Sequence, residues 1–307
     1  MDIDALPLAL LPRETIRALS QRSDARGALQ LSIHLALLTA TGLLVWASRG
    51  HAWLAAALLL HGIVLCFLFC ALHECIHRTA FRSRPLNDAI AWLCGALLVL
   101  PPAYFRPFHF AHHRYTQNPA RDPELAQPAP ASRAAYWWRV SGLPYWRERL
   151  QTSLRHALTG RVSEPFVPAA GAAGVVREAR ILWGGYFAIA ATSMYLHSAA
   201  VLLYWIVPAL LGQPFLRLFL IAEHTGCALD QDMLANTRTT YTNAAVRLLT
   251  WRMSHHAEHH SFPSVPFHAL PKVDVLLTGQ RRVTSPGYLA LHRALLRQLR
   301  SAAAVAR

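Results

Sequence analysis

Charge is scarce in this chain, and lysine is nearly missing. Of 307 residues only 15% are charged, and Lys272 is the single lysine. A soluble globular domain carries roughly a quarter charged residues. The deficit argues against an ordinary soluble surface and, with 54% hydrophobic residues, points to a membrane. Acidic residues are the scarcer sign, 16 against 30 basic, for a formal net charge of +14 carried almost wholly by arginine. Paired cysteines are missing too. Cys66, Cys70, Cys75, Cys94 and Cys227 form no C-x-x-C pair. No zinc finger or disulfide framework is visible, and these residues read as small buried hydrophobes. The opening MDIDALPLALLPRETIRALS carries no early basic region. It is expected to belong to a polar or interfacial segment over residues 1–28, not to a cleaved signal. No internal repeat is visible. The expectation is a single domain over 1–307, with a core at about 50–275 and a C-terminal helix over 276–307.

Long apolar runs are what the chain has instead. A crossing helix needs about 20 mostly apolar residues. LSIHLALLTATGLLVWA (31–47) comes close and AWLAAALLLHGIVLCFLFCAL (52–72) meets it, while 181–223 is long enough for two crossings back to back. Gly184–Gly185, Pro208 and Pro214 are the candidate punctuation inside that last run. A further run, AIAWLCGALLVLPPAYF (89–105), is interrupted by Pro101 and Pro102 and reads as re-entrant or interfacial. WWRVSGLPYWRERLQTSLRHAL (137–158) mixes aromatics with arginines, as an interfacial helix would. Arginine then orients the chain. Only Arg49 lies between the first two crossings, whereas 106–180 holds eleven arginines and 222–307 nine more plus Lys272. Positive loops favour the cytoplasm, so both segments and the N-terminus are expected there. The fold class expected is all-α: an integral membrane bundle of about four crossing helices plus interfacial helices, with a helical cap on the cytoplasmic side.

Histidines cluster where these segments meet the surface: HECIH (His73, His77), HFAHH (His109, His112, His113) and HAEHH (His256, His259, His260), with His224 in IAEHTG. An even number of crossings separates the clusters, so all should reach one face of the membrane. Residues three and four apart share a helix face, so each cluster should aim its imidazoles together. Nine nitrogen donors are too many for one metal and suit two. Neutral imidazole suits zinc, copper, iron or nickel, whereas closed zinc sites in soluble proteins favour sets containing cysteine. An all-histidine pair of metals beside a membrane points to iron and oxygen chemistry. His255 falls outside the register. His34 and His61, inside apolar runs, and His51, His156, His197, His268 and His292, without partners at ligand spacing, read as packed or solvated. Trp251 and Met253 are expected to pack the last cluster against the bundle.

Those three boxes, with the surrounding RPFHFAHHRYTQNPARDPEL (106–125), AEHTG, NTRTT and MSHHAEHHSFPSVPFHALP (253–271), resemble the integral-membrane fatty acid desaturases and their hydroxylase relatives. The resemblance covers about residues 50 to 275 in order and spacing. It implies two iron ions held by His73, His77, His109, His112, His113, His256, His259 and His260. It also implies dioxygen as co-substrate and electrons from a reductant protein. His224 stands where related enzymes place an extra ligand. Where the family's text often has Asp, this chain has Asn118, which supplies no charge. Glu74, Asp122, Glu124, Glu223 and Glu258 are then the candidates to accept from ring N–H groups, with Arg238 and Asn243 beside them.

The function expected is O2-dependent oxidation of an unactivated C–H bond in a fatty acid or acyl lipid, foremost desaturation. Hydroxylation, carotenoid oxygenation and decarboxylation to a terminal alkene are the alternatives on the same scaffold. A metal-binding receptor or transporter fits less well, since a transporter places ionisable groups at mid-membrane. Tyr104, Trp137 and Trp138 are candidates for the mouth of an acyl tunnel. Expected partners are the acyl substrate, membrane lipids and a ferredoxin or other acidic donor with its reductase, steered by the positive face. No nucleic-acid partner is expected.

Overall fold

The computed structural model describes residues 10–280 and 283–305. A short α1 (Arg13–Leu19) leads to α2 (Asp24–Ala47), whose first turn is capped by the Ser23 side chain accepting from the Arg26 amide. The chain turns back into α3 (Leu54–Cys66), which runs into α4 (Leu68–His77) across Phe67. Then come α5 (Arg84–Leu97), α6 (Pro102–Tyr115), the paired α7 (Arg133–Val140) and α8 (Leu143–Thr159), α9 (Ala169–Tyr195), and α10 (Val207–His224), which follows a π-helical turn at Leu202–Ile206. Three helices are long and apolar enough to cross a membrane: Asp24–Ala47, Leu54–His77 and Leu202–His224. A fourth crossing arises if α5 and α6, which meet at 99°, count as one. The fold is an all-α membrane bundle.

Pro101–Pro102 makes that bend. The residue before a proline is steered out of the helical region, so α5 stops, and α6 starts with proline in its first turn. Gly95 lets the bend close, since a Cβ there would sit 2.5 Å from the Leu100 carbonyl oxygen. The interrupted run is therefore a broken element, as its prolines predict.

The two crossings expected over 181–223 need correction. Only Leu202–His224 has the length and apolarity. α9 begins at Ala169, so its first half carries Arg177, Glu178 and Arg180. The turn falls at Leu196–Ser198, where His197 adopts φ 46°, not at the glycine pair or the prolines. Pro214 sits inside α10 and Pro208 in its first turn.

α3 and α10 approach backbone to backbone. A Cβ on Gly62 would lie 2.0 Å from the Pro208 carbonyl oxygen, and one on Gly212 would lie 2.0 Å from that of Gly62. With little hydrophobic drive between helices in lipid, such small-residue contacts carry the packing. Gly62→Ala is expected to cost about 1–3 kcal/mol of stability, seen as a lower unfolding midpoint in detergent; an unchanged midpoint would contradict the close contact. His34 and His61 are structural. His61 meets Thr41 Oγ1 at 2.9 Å and the Tyr204 carbonyl at 3.1 Å, tying three segments together.

Beyond α10 short elements build a cap: α11 (Met233–Asn236), strand β1 (Thr239–Thr240) paired in parallel with β2 (Thr284–Ser285), α12 (Ala244–Leu249), α13 (His256–Ser261), α14 (Leu270–Leu276), and finally α15 (Tyr288–Val305). Trp251 and Arg252 enter the turn before α13 with φ of 50° and 61°. Left-handed non-glycine residues cost of order 1–3 kcal/mol each. Here the Trp251 ring offsets that cost. It is fully buried, packs 5.1 Å from Phe267 and donates to His34 Nδ1 at 3.2 Å. The last histidine cluster is thus anchored to α2, some 217 residues away in sequence.

Candidate metal centre

α4, α6 and α13, with the end of α10, bring their histidines together at one end of the bundle. They fall into two groups. His73, His77, His109, His113 and His259 form one; His112, His224, His256 and His260 form the other; ligand atoms within each lie within 4.8 Å of one another. The groups face each other, with the His113 and His260 rings stacked at 4.1 Å between them. His255 belongs to neither and lies with Glu258 and Asp274.

Each triplet is split, against the expectation that its three imidazoles aim together. Helical residues advance by about 100° each. Positions i and i+4 therefore lie about 40° apart, while i+3 lies about 100° from i+4. His73/His77 and His109/His113 are i, i+4 pairs of the first group, and His256/His260 is the pair of the second. The odd members cross over: His112 joins the second group and His259 the first. The second group reaches four donors only with His224.

Hydrogen bonds orient the second group. His112 Nδ1–H donates to Asp122 at 3.0 Å, His224 Nδ1–H to the Asn236 carbonyl at 3.1 Å, and His260 Nδ1–H to Thr116 Oγ1 at 3.1 Å. His256 Nδ1 lies 3.3 Å from Glu223 Oε1. Nδ1 is hydrogen-bonded to an acceptor in His112, His224 and His260, and in His256 it lies near Glu223 without a hydrogen bond; the proton is assigned to Nδ1 on that side and Nε2 left as a lone pair. Those lone pairs point at each other: His112 to His224 at 3.2 Å and His224 to His256 at 3.1 Å. Such facing acceptors repel unless a cation lies between. A metal with nitrogen ligands at about 2.1 Å holds neighbouring donors roughly 3.0–3.4 Å apart. In the first group His113 Nε2 lies 2.9 Å from His109 Nε2 and 3.1 Å from His259 Nε2. Burial, then the neighbouring imidazoles, pushes His256, His259 and His260 below the usual histidine range. They are neutral donors at neutral pH. The cluster fits a pair of metal ions.

Residues 48–288 match the family model described as fatty acid desaturase. The chain belongs to the fatty acid desaturase family. Similar proteins include a dihydrorhizobitoxine desaturase of Bradyrhizobium elkanii, 26% identical over 233 residues, or 70% of this chain and 64% of that protein. An sn-1 oleoyl-lipid 12-desaturase of Picosynechococcus sp. is 32% identical over 94 residues, 28% of this chain and 27% of that one. A Delta(12) fatty acid desaturase of Mortierella isabellina is 31% identical over 74 residues, 24% and 18% of the two chains. The aligned regions span less than two thirds of each of these desaturases.

The acidic residues singled out in sequence divide sharply. Asp122 and Glu223 face ligand-type histidines, and Glu124 lies 3.8 Å from His112 Nδ1. Glu74 instead accepts from Thr79 Oγ1 and the Phe267 amide, pinning α4 to the cap. Glu258 accepts from Thr239 Oγ1, and burial, with Asp274 adding to it, pushes its carboxyl upward. Arg238 donates to the Ala222 and Thr225 carbonyls and so clamps the backbone around His224. Asn243 is exposed and caps α12, so it is not at the histidines. Asn118 shapes the turn that presents Asp122, whose amide donates to the Asn118 carbonyl at 2.9 Å.

Sequence reasoning missed Thr116, Asn236 and Gln117, whose Nε2 donates to the His224 carbonyl at 2.8 Å. It also missed Asp88, which accepts from Arg78 and Arg106 and so ties the end of α4 to α6. None of these stands at a telltale spacing; backbone acceptors and loop residues leave no pattern. Among the other histidines, His156 pairs with Glu164 at 3.0 Å and His292 with the Tyr136 hydroxyl at 2.7 Å, while His51 and His197 are exposed.

A cavity of about 180 Å³ reaches the cluster, touching His73, His109, His112 and His256. Phe69, Cys70, Phe105 and Phe219 line the part formed by α4, α6 and α10. None of the expected mouth residues lines it. Tyr104 is buried against Phe166 and the Arg149 guanidinium, and Trp137 and Trp138 are exposed on α7.

Proposed function

We propose that this protein is a membrane-bound oxidoreductase acting on an unactivated C–H bond of an acyl chain, with desaturation of a fatty acid or acyl lipid as the reaction the site supports best. One observation carries the reading: two facing groups of buried imidazoles, their lone pairs converging, open onto a cavity with an apolar wall. In this family setting the ions are two irons, which when bound supply dioxygen activation. Balance requires dioxygen, two electrons and two protons from a donor, with two hydrogens from the substrate, to give an alkene and two waters.

The chain's own residues do the rest. Phe69, Phe105 and Phe219 bind the chain and exclude water beside the histidines. Asp122, Thr116 and the Asn236 carbonyl hold the Nδ1 protons of His112, His260 and His224 and fix the orientation of those rings, while Glu223 lies beside His256. The arginine-rich segments 106–180 and 222–307 support a cytoplasmic placement of the site and an acidic electron donor such as a ferredoxin.

The test is expression in a host of defined lipid composition, with acyl products profiled by mass spectrometry. A new double bond is expected. An alcohol, or a terminal alkene one carbon shorter, would move the assignment to hydroxylation or decarboxylation at the same site. No oxidised product with an iron-loaded protein and a competent donor would overturn it.

A further inference from the structure

The cavity wall opposite the histidines is not what an acyl tunnel alone requires. Arg139 of α7, Arg149 of α8 and Arg217 of α10 all line it, with Glu124, Glu148 and Glu223 as the acidic side chains. None of these carboxylates pairs directly with Arg139 or Arg217, although Glu124 acts on both at longer range and Glu223 on Arg217. Glu148 pairs with Arg149, Glu124 leans to His112, and Glu223 faces His256. Among the described residues no carboxylate comes within ion-pairing distance of Arg139 or Arg217.

Neutral groups hold Arg217 in place. Its guanidinium carbon sits 4.4 Å over the Tyr145 ring. With the Gln213 amide turned oxygen-first, Nε and Nη2 of Arg217 donate to it at 3.2 Å. Gln213 is itself fully buried beneath Gly142, where a Cβ would meet its Cγ at 2.4 Å. Gly142 has φ 74° and joins α7 to α8. One turn thus fixes Arg139 on one side and Tyr145 on the other.

Two partly buried guanidiniums with no directly paired carboxylate, attracted only at longer range by Glu124 and, for Arg217, by Glu223, face one cavity and favour an anion there. Arg is suited to a carboxylate because its planar fork donates two parallel bonds. We infer that Arg139 and Arg217 form the head-group subsite of this cavity and take the free carboxylate of the substrate, while the chain runs past Phe69 and Phe105 to the histidines. The inference rests on the oxidative function proposed above and adds the substrate class: a carboxylic acid, not a neutral ester or amide. The relatives' names do not settle this, since one specifies an oleoyl lipid and another dihydrorhizobitoxine.

The experiment measures binding of labelled dodecanoic acid to the full chain in detergent, beside methyl dodecanoate and dodecanamide. The acid should bind about tenfold or more tightly than either neutral analogue. Arg217→Gln and Arg139→Gln should remove most of that preference and leave the neutral analogues unchanged, at unaltered unfolding midpoint. If Arg217→Gln does not fold, Arg139→Gln, on the amphipathic α7, carries the comparison. Equal binding of acid and ester, or a preference that survives both substitutions, overturns the subsite. So does arginine-dependent binding of phosphatidylglycerol in mixed micelles without any for the acid, which would make this a lipid head-group site. Arginine-dependent acid binding with no oxidised product would keep the subsite and remove the oxidative function. Oxidation of acid and ester with equal KM would do the reverse.

Discussion

His224→Ala is expected to hold one metal ion per chain where the unaltered protein, reconstituted anaerobically with iron, holds about two. The second histidine group would keep only His112, His256 and His260, and the imidazole between His112 and His256 would be gone. His77→Ala is the informative contrast. It leaves four imidazoles in the first group, so close to two ions should remain. Turnover of His224→Ala should fall by more than about 100-fold, beyond what loss of an outer hydrogen bond costs. Metal analysis checks both variants. Two ions retained in His224→Ala would remove it from the ligand set.

Asp122→Asn should lower metal affinity by about 10- to 100-fold with little change in shape. Asp122 accepts from His112 Nδ1 and from the Gln117 and Glu124 amides, at 2.8 and 2.9 Å for the latter two. An amide NH2 at that position would meet one of those N–H groups donor to donor, and the negative charge that strengthens the His112 imidazole would be lost. Burial works to raise the Asp122 carboxyl, but the bonds from His112 and the amides outweigh it and hold it below its usual range. Its contribution to stability is therefore complete above the ordinary aspartate value and is lost only as pH falls through the depressed one. A metal titration of Asp122→Asn at neutral pH is the measurement; unchanged affinity would show that the carboxylate does not tune His112.

Much of the centre was legible in the residues. Box spacing placed each histidine on a helix face, and the count of donors suited two ions. Yet HFAHH and HAEHH do not act as units. Register within one helix sets the angle between His109, His112 and His113, but not what stands opposite. His112 serves the second group because α10 places His224 there, and His259 serves the first because the Trp251–Arg252 turn swings α13 toward α4. The same limit explains the second crossing expected over 181–223. Apolarity locates a run, but the turn came at His197, stabilised by backbone bonds that no residue type announces.

Composition and apolar run length, local properties of the chain, established a membrane protein with arginine-biased surfaces. Helical periodicity, local again, established the i, i+4 histidine pairs. The division into five and four donors, the acceptors behind Nδ1 of His112, His224 and His260, and the convergence of Arg139 and Arg217 on one cavity all join residues from separate segments. Such contacts depend on how close two backbones can come, and here glycine-lined packing of α3 on α10 and the proline bend between α5 and α6 set that distance.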